Sequence, residues 1–188
     1  MKTGLEFGEE PVKRILYPPE LRNGRTNHGF ISVKGNGTDV ADIVEEAKRD
    51  PGLAAVLREI NRAETPLFSL GCDNLHITEG LNRFGGQGYI EIAFNILEEA
   101  KDSVSYFRLF ERFTEFARTS AGNLLCSFMI QRALFPPNDV EAFTVQIWLM
   151  IPTAPTKQEV ENLWRAGLNT LEKFVATLTP SSVGTRIF

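Results

Sequence analysis

The amino-acid sequence predicts an α+β fold, in which an antiparallel sheet of about five strands carries helices mainly on one face. Three observations support this prediction. Apolar residues alternate along Asn123 to Ile151, which is typical of two strands with one buried face. Elsewhere apolar residues recur every three or four positions, as in helices with a single apolar stripe. The connections between the predicted strands are short, which favours antiparallel pairing.

The length and composition are those of an ordinary globular domain. The chain has 188 residues, of which 43% are hydrophobic and 23% are charged. A chain of this length buries roughly 70% of the surface that it exposes when unfolded, so one hydrophobic core is enough for stability. We therefore expect a single α+β domain over residues 29–179, preceded by an extended N-terminal arm over 1–28 and followed by a loose tail over 180–188.

The charge, the N-terminus and the cysteines limit the possible partners. A net charge of -4 gives no field that would attract phosphate backbones, so we expect no general nucleic-acid binding. The first residues lack the apolar segment of a signal peptide, and no apolar run reaches the ~18 residues of a membrane span. Cys72 and Cys126 are too few for a disulfide framework. These observations predict a cytoplasmic protein with reduced thiols and no membrane association.

The first third of the chain combines the arm with one strand and two helices. Residues 1–28 contain several prolines and glycines and show neither periodicity. Phe30 to Lys34 alternates and predicts a short edge strand. Thr38 or Asp39 begins one predicted helix and Asp50 begins the next, because short polar side chains at the N-cap accept hydrogen bonds from free backbone N–H groups.

The middle of the chain predicts a hairpin and a long aromatic helix. Leu67 to Ile77 forms an irregular strand, and Tyr89 to Ile96 alternates strongly. Between them, Arg83 to Gly88 is rich in glycine, which is typical of a hairpin connection. From Ser103 onwards, apolar residues at intervals of three or four predict a buried helical face. Its members are Val104, Phe107, Phe110, Phe113, Phe116 and Ala117.

The last third contains the central hairpin and the longest predicted helix. The apolar positions of the hairpin are Leu124, Cys126, Phe128, Ile130 and Leu134 in one strand and Phe143, Val145, Ile147, Leu149 and Ile151 in the other. Thr156 and Glu159 have the spacing of a capping box and begin a helix that ends before Pro180. The predicted order of elements is therefore β-α-α-β-β-α-β-β-α.

One face of the three best-defined strands is too apolar for plain exposure to solvent. We call this set the open face, and its members are Tyr89, Glu91, Asn95, Ser127, Met129, Gln131, Thr144, Gln146, Trp148 and Met150. Surfaces that mix aromatic rings, methionines and amides are covered part of the time. The cover could be a partner protein, a ligand or a second subunit. With equal weight it could be the chain's own N-terminal arm or one of the helices.

A second candidate site is the reactive cluster, which consists of Cys72, Asp73, His76 and Glu79. In a regular strand Cys72 and His76 would share a face, so a thiol and an imidazole could act as nucleophile and base. They could also bind a metal, but a structural zinc site needs four ligands and His28 is the other histidine of the chain. We therefore expect no metal and no cofactor.

No segment carries a motif that specifies one reaction. Arg83 to Gly88 contains a glycine-rich run, but it lacks the following helix that a phosphate-binding loop needs. The leading hypothesis is a non-catalytic binding or adaptor-type domain that uses the open face to hold a protein segment or its own mate in a homodimer. The alternative is a small enzyme or ligand-binding protein centred on the reactive cluster.

Overall fold

A mixed β-sheet with helices packed against one face dominates the computed structural model. The strands are β1 (Lys2–Phe7), β2 (Lys13–Arg14), β3 (Glu20–Arg22), β4 (Arg25–Asn27), β5 (Leu67–Gly80), β6 (Arg83–Phe94), β7 (Leu125–Phe135) and β8 (Val140–Ala154). The helices are α1 (Val40–Ile43), α2 (Glu45–Arg49), α3 (Pro51–Asn61), α4 (Leu97–Lys101), α5 (Ser103–Ala117) and α6 (Lys157–Ala176). The structure describes residues 1–8, 12–22, 25–34, 39–119, 124–179 and 186–187, with the backbone alone for 20–22 and 25–27.

Six strands form the main sheet, and β3 pairs with β4 in a separate ribbon. The sheet order is β1-β7-β8-β6-β5, with β2 beside β7. The pairs β5–β6, β6–β8 and β7–β8 are antiparallel, whereas β1 and β2 are parallel to β7. The α+β class is confirmed, but the prediction of a purely antiparallel sheet of about five strands is wrong. It fails because β1 and β2 lie in the predicted arm, and a parallel partner far along the chain leaves no local hairpin signal.

The segment from Phe30 to Lys34 is not a strand, although its alternation predicted one. The Phe30 N–H donates to the carbonyl oxygen of Tyr17 at 3.1 Å, and the Lys34 side chain attaches the other end of the segment. The Lys34 ammonium donates hydrogen bonds of 2.8, 3.0 and 2.7 Å to the carbonyl oxygens of Arg62, Thr65 and Leu67. Because Leu67 begins β5, this lysine binds the segment to the edge of the sheet.

The predicted helix starts at Asp39, Asp50 and Thr156 are confirmed. Each side chain accepts hydrogen bonds from backbone N–H groups two or three residues further on. Thr38, the alternative cap, lies outside the described residues. The first predicted helix is divided at Val44, whose extended backbone separates α1 from α2. Helix α4 has no predicted counterpart, since its five residues are too short to show a periodic stripe.

The face that helix α5 turns to the core overlaps the predicted stripe only in part. Its buried residues are Tyr106, Leu109, Phe113 and Ala117. Phe116 and Val104 belong to the predicted stripe but are 37% and 46% exposed. That stripe depends on steps of three residues, and each such step turns about 300°, so successive members drift around the helix. Phe113 and Ala117 belong to both sets. The Phe113 ring centroid lies 5.2 Å from that of Phe128 in β7.

The glycines predicted as a hairpin connection lie inside strand β6 and let α6 approach the sheet. A Cβ atom at Gly86 would lie 2.7 Å from Val160, and one at Gly88 would lie 2.6 Å from the Trp164 ring. The turn comes earlier, where Asn82 has a φ of 61°. Glycine is therefore required here by helix packing.

The central hairpin of β7 and β8 is confirmed, with continuous pairing from Leu125 and Met150 to Phe135 and Val140. Asn123, Pro180 and most of the predicted tail lie outside the described residues. Within the tail, Arg186 forms a β-bridge with Ile96. The division into arm, domain and tail stays a prediction. Among the helices that the structure describes, none is long and apolar enough to cross a membrane.

Candidate binding face

The open face is assembled by the register of the three central strands. Tyr89 of β6 and Ser127 of β7 oppose Trp148 of β8 from its two sides. Residues directly opposed in an antiparallel ladder point to the same face, so the pairing brings these side chains together. The other members on these strands are Glu91, Met129, Gln131, Thr144, Gln146 and Met150.

Helices α5 and α6 contact the opposite face of the sheet. Phe128 contacts two rings of α5, and Leu149 lies against Gly167 of α6. Phe128 follows Ser127 and Leu149 follows Trp148, and successive side chains of a strand point to opposite sides. The two longest helices therefore leave the open face uncovered.

The apolar part of the open face is a patch centred on Trp148. We call it the Trp148 patch, and it consists of Tyr89, Met129, Gln131, Gln146, Trp148 and Met150. All six residues are half-buried. The Tyr89 and Trp148 ring centroids lie 4.9 Å apart. The Trp148 Nε1–H donates to Gln146 Oε1 at 3.1 Å, and Gln131 Nε2 lies 3.5 Å from Met129 Sδ. The indole N–H of Trp148 and an N–H of Gln131 therefore bond within the patch, beside its aromatic rings.

The N-terminal chain crosses the other end of the open face. Strand β2 pairs with β7, and three residues after β2 the Tyr17 hydroxyl donates to the carbonyl oxygen of Leu70 in β5 at 2.9 Å. Strands β8 and β6 lie between β7 and β5. Lys13 to Tyr17 therefore forms a strap across the sheet, and Ile15 in its middle is 2% exposed. The arm, one of the predicted covers, lies over this end.

A buried ion pair holds the strap. The Glu91 side chain is 1% exposed, and the Lys13 ammonium lies 2.5 Å from its Oε2 and 4.5 Å from the centroid of the Tyr17 ring. A carboxylate removed from water is costly unless a cation compensates it. Burial, followed by the charge of Glu91, raises the pKa of the Tyr17 hydroxyl. The hydroxyl therefore stays protonated and continues to donate to Leu70.

Outside the Trp148 patch, the open face is both buried and polar. Glu91 Oε1, Thr144 Oγ1 and Asn95 Oδ1 are buried and find no hydrogen-bond partner among the described residues. Glu91 and Thr144 are diagonal neighbours, because Glu91 opposes Gln146, two positions along β8 from Thr144. Asn95 follows the end of β6. The predicted face therefore consists of two environments, an apolar patch and a polar region beside the strap.

The reactive cluster is not assembled as predicted. Cys72 opposes Ile90 of β6, whereas His76 opposes Gln87. Ile90 and Gln87 are an odd number of residues apart, so they point to opposite faces, and so do Cys72 and His76. A register shift between Asp73 and His76 is the cause. One extra residue in a strand reverses the alternation of all the residues that follow it.

Part of the reactive cluster does come together. His76 Nε2 lies 2.8 Å from Asp73 Oδ2, while Glu79 lies 3.3 Å from the ammonium of Lys157. Burial is the main cause that raises the pKa of the Cys72 thiol, which disfavours the nucleophilic thiolate. Within the described ranges, no group of three or more His, Cys, Asp or Glu residues is arranged to hold a metal ion.

No family model matches the sequence, and no curated protein or solved structure is significantly similar to it. The function is therefore inferred from the geometry of the open face.

Sequence reasoning missed Lys13 and Tyr17, because they lie in the predicted arm. A signal for the strap was present at Glu91, which stands between Ile90 and Ile92 in a central strand. A glutamate in such a place is almost never fully buried without a partner. The partner could not be located from the sequence, since Lys13 is 78 residues away along the chain.

Proposed function

We propose that the protein is a non-catalytic, adaptor-type domain that holds a segment of another protein against the Trp148 patch. One observation carries the proposal: an aromatic pair and two methionines lie half-buried on the three central strands, on the face opposite α5 and α6. Tryptophan and tyrosine dominate the binding energy of many interfaces, and a polar surround excludes water from them. The amides of Gln131 and Gln146 and the strap provide such a surround.

The chemistry of the Trp148 patch suits a peptide segment with apolar side chains. Met129 and Met150 are flexible and polarisable, so they adapt to partners of different shape. Trp148 and Tyr89 are rigid and lose little conformational entropy on binding. The two free cysteines support a reducing, cytoplasmic location for this activity.

The proposal is tested with peptides selected from a random phage-displayed library on the wild-type protein. Trp148→Ala should weaken the selected peptides by about 2–4 kcal/mol, since it removes the proposed anchor. Phe116→Ala is the matched control, because Phe116 is also partly exposed but lies on the helical layer. It should leave peptide binding unchanged. Isothermal titration calorimetry measures both, and circular dichroism confirms that each variant is folded.

Two results would contradict the proposed function. In the first, Trp148→Ala binds the selected peptides as well as the wild type does. In the second, Trp148→Ala unfolds the domain while Trp148 of the wild type is protected from acrylamide at every concentration, which means that the chain covers the patch itself. A dimer that Trp148→Ala converts to a folded monomer would assign the patch to a second copy of the chain.

A second candidate function, a small enzyme or ligand-binding protein centred on the reactive cluster, is favoured by the contact between His76 and Asp73. It requires a reactive thiol at Cys72. Burial raises the pKa of both Cys72 and Cys126, so we expect both to react more slowly than a free peptide thiol near neutral pH. Native-state labelling with a disulfide reagent, resolved by mass spectrometry, measures each rate. Labelling of Cys72 faster than the peptide would support the enzyme.

A further inference from the structure

The two edges of the main sheet are protected to different degrees. At the β5 edge, the carbonyl oxygens of Leu67 and Leu70 accept hydrogen bonds from the side chains of Lys34 and Tyr17, and the strand has two register shifts. At the other edge, the register of β1 with β7 is regular along all six residues of β1. Proteins protect open edges with bulges and covering groups of the kind found at β5. The β1 edge instead has the regular geometry of a strand that pairs with another strand.

The hydrogen bonds of β1 show which of its main-chain groups face outward. The Lys2 N–H donates to Leu124 O at 2.9 Å, and the Gly8 N–H, just beyond β1, donates to Ile130 O at 2.8 Å. In a parallel ladder alternate residues bond to the same neighbour, so the even-numbered residues of β1 bond to β7. The outward-facing N–H and C=O groups belong to Thr3, Leu5 and Phe7.

Exposed apolar side chains lie beside the β1 edge. Phe7 is 55% exposed, and its ring centroid lies 5.5 Å from that of Phe107 in α5. Val104, one helical turn before Phe107, is 46% exposed. Large exposed apolar groups beside regular, outward-facing main-chain groups indicate an interaction site rather than a solvated edge.

We propose that β1 pairs antiparallel with β1 of a second copy of the chain, around a two-fold axis at Gly4 that is perpendicular to the sheet. In an antiparallel ladder, opposed residues share a face, and the outward-facing residues exchange the hydrogen bonds. A pairing centred on Gly4 meets both conditions, because Thr3 opposes Leu5 of the second copy. The two sheets then join into one.

The strand that pairs with β1 is assigned to a second copy of the chain, because at this register the charged residues of one β1 lie opposite residues of opposite charge in the other. Lys2 lies opposite Glu6 of the second copy, and symmetry repeats the contact. Opposite charges directly across a ladder are attractive, and these pairs are of the non-hydrogen-bonded type, in which side chains are closest. A shift by two residues in either direction loses both contacts. The same pairing sets Phe7 against Met1 of the second copy.

This dimer does not depend on the proposed binding function. Because the axis is perpendicular to the sheet, the Trp148 patches of both copies lie on the same side of the joined sheet, away from the axis. The β5 edge is covered, so the assembly closes as a two-fold dimer and does not continue.

The test is charge reversal at two exposed residues, followed by sedimentation velocity over a range of concentrations. A C-terminal tag, later removed, leaves β1 unchanged. Wild-type protein should be dimeric, and Lys2→Glu or Glu6→Lys alone should raise the dissociation constant roughly tenfold, because each variant creates two like-charge contacts. An equimolar mixture of the two variants should form a heterodimer, since both contacts become attractive again. The double variant should dimerise like the wild type.

Several outcomes would overturn the β1 dimer. They are a wild-type protein that is monomeric at about 0.1 mM, single reversals without effect on the dissociation constant, and a mixture that does not recover association. Trp148→Ala separates this proposal from the binding function, because it should leave the dimer intact. If Trp148→Ala alone produces a folded monomer, the dimer uses the open face and the β1 pairing is wrong. Thermal melts by circular dichroism confirm that the variants are folded.

Discussion

Two adjacent cations near the start of the strap form ion pairs in opposite environments. Lys13 binds Glu91, whose side chain is 1% exposed, whereas Arg14 and its partner Asp139 are 68% and 51% exposed. An exposed pair contributes little, because water and salt screen it. Breaking a buried pair leaves a charge without compensation in a poorly solvated place. Of these two ion pairs, the one formed by Lys13 therefore contributes more to the stability of the fold.

We expect Lys13→Met to lower the free energy of unfolding by about 2–4 kcal/mol, somewhat less than for a fully buried pair because Lys13 itself is 30% exposed. Arg14→Met is the matched control, and it should cost less than about 1 kcal/mol. Adding Glu91→Gln to Lys13→Met should recover part of the loss, since no buried charge remains. Urea unfolding followed by circular dichroism measures all three. Equal losses for Lys13→Met and Arg14→Met would contradict the buried pair.

The lowered pKa of Lys34 predicts how the free energy of unfolding depends on pH. Burial, followed by the charge of Arg186, lowers the pKa of Lys34 to about 8. An unfolded lysine has a pKa of about 10.4, so between these values the unfolded state binds more protons than the folded state. The contribution of Lys34 to stability therefore rises as the pH increases from about 8 to about 10.4.

The measurement compares wild type with Lys34→Met in urea at a series of pH values. Burial raises the pKa of Cys72 and Tyr17, which acts in the opposite direction at alkaline pH, but both groups are present in both proteins. The difference in unfolding free energy between wild type and Lys34→Met should move in favour of the wild type as the pH rises. A difference that does not change with pH would contradict the lowered pKa.

At the scale of the elements, the face that α5 turns to the core can be tested with two phenylalanines of the same helix. Phe113 is 0% exposed, whereas Phe116 is 37% exposed. Phe113→Ala should cost about 3–5 kcal/mol, because it removes transfer free energy and leaves a cavity. Phe116→Ala should cost less than about 1.5 kcal/mol. Chemical denaturation measures both, and similar losses would support the predicted stripe over the observed face.

Elements were predictable from the sequence where their signals are local. The β7–β8 hairpin and helix α6 have long periodic patterns, and Asp50 and Thr156 mark helix starts through contacts with their own neighbours. Strand β1 was not predictable, because its partner β7 is far away along the chain and an edge strand needs little alternation. Cys72 and His76 were separated by a bulge, and one extra residue leaves no clear mark in the sequence.

For the open face too, only the features with a local sequence signal were predictable. Alternation along β6, β7 and β8 was enough to group Tyr89, Trp148 and Met129 on one side of a sheet. Alternation could not show that Lys13 and Tyr17 cross the sheet beside Glu91, since that depends on the path of an irregular segment. The apolar patch was therefore predictable. The arm was one of several predicted covers, but its contacts with Glu91 and Leu70 were not predictable.

Over the whole molecule, the N-terminal segment connects both edges of the sheet. It extends the sheet as β1 and β2 along β7, and the strap then reaches Leu70 in β5. The termini of most domains are poorly ordered unless they are attached to the rest of the fold. Here the attachment uses ladder hydrogen bonds, the buried pair of Lys13 and Glu91, and the buried side chain of Ile15. The first residues are therefore attached to the main sheet at several points.

Amide hydrogen exchange along β1 tests both the parallel ladder and the dimer. The amides of Gly4 and Glu6 face β7, so they should be protected at every protein concentration. The amides of Thr3, Leu5 and Phe7 face outward, so they should exchange rapidly in dilute protein and become protected as the dimer forms. Two-dimensional NMR at several concentrations resolves each amide. Equal exchange of all five would contradict the ladder, and protection of the outward set in monomeric protein would mean that another part of the chain covers this edge.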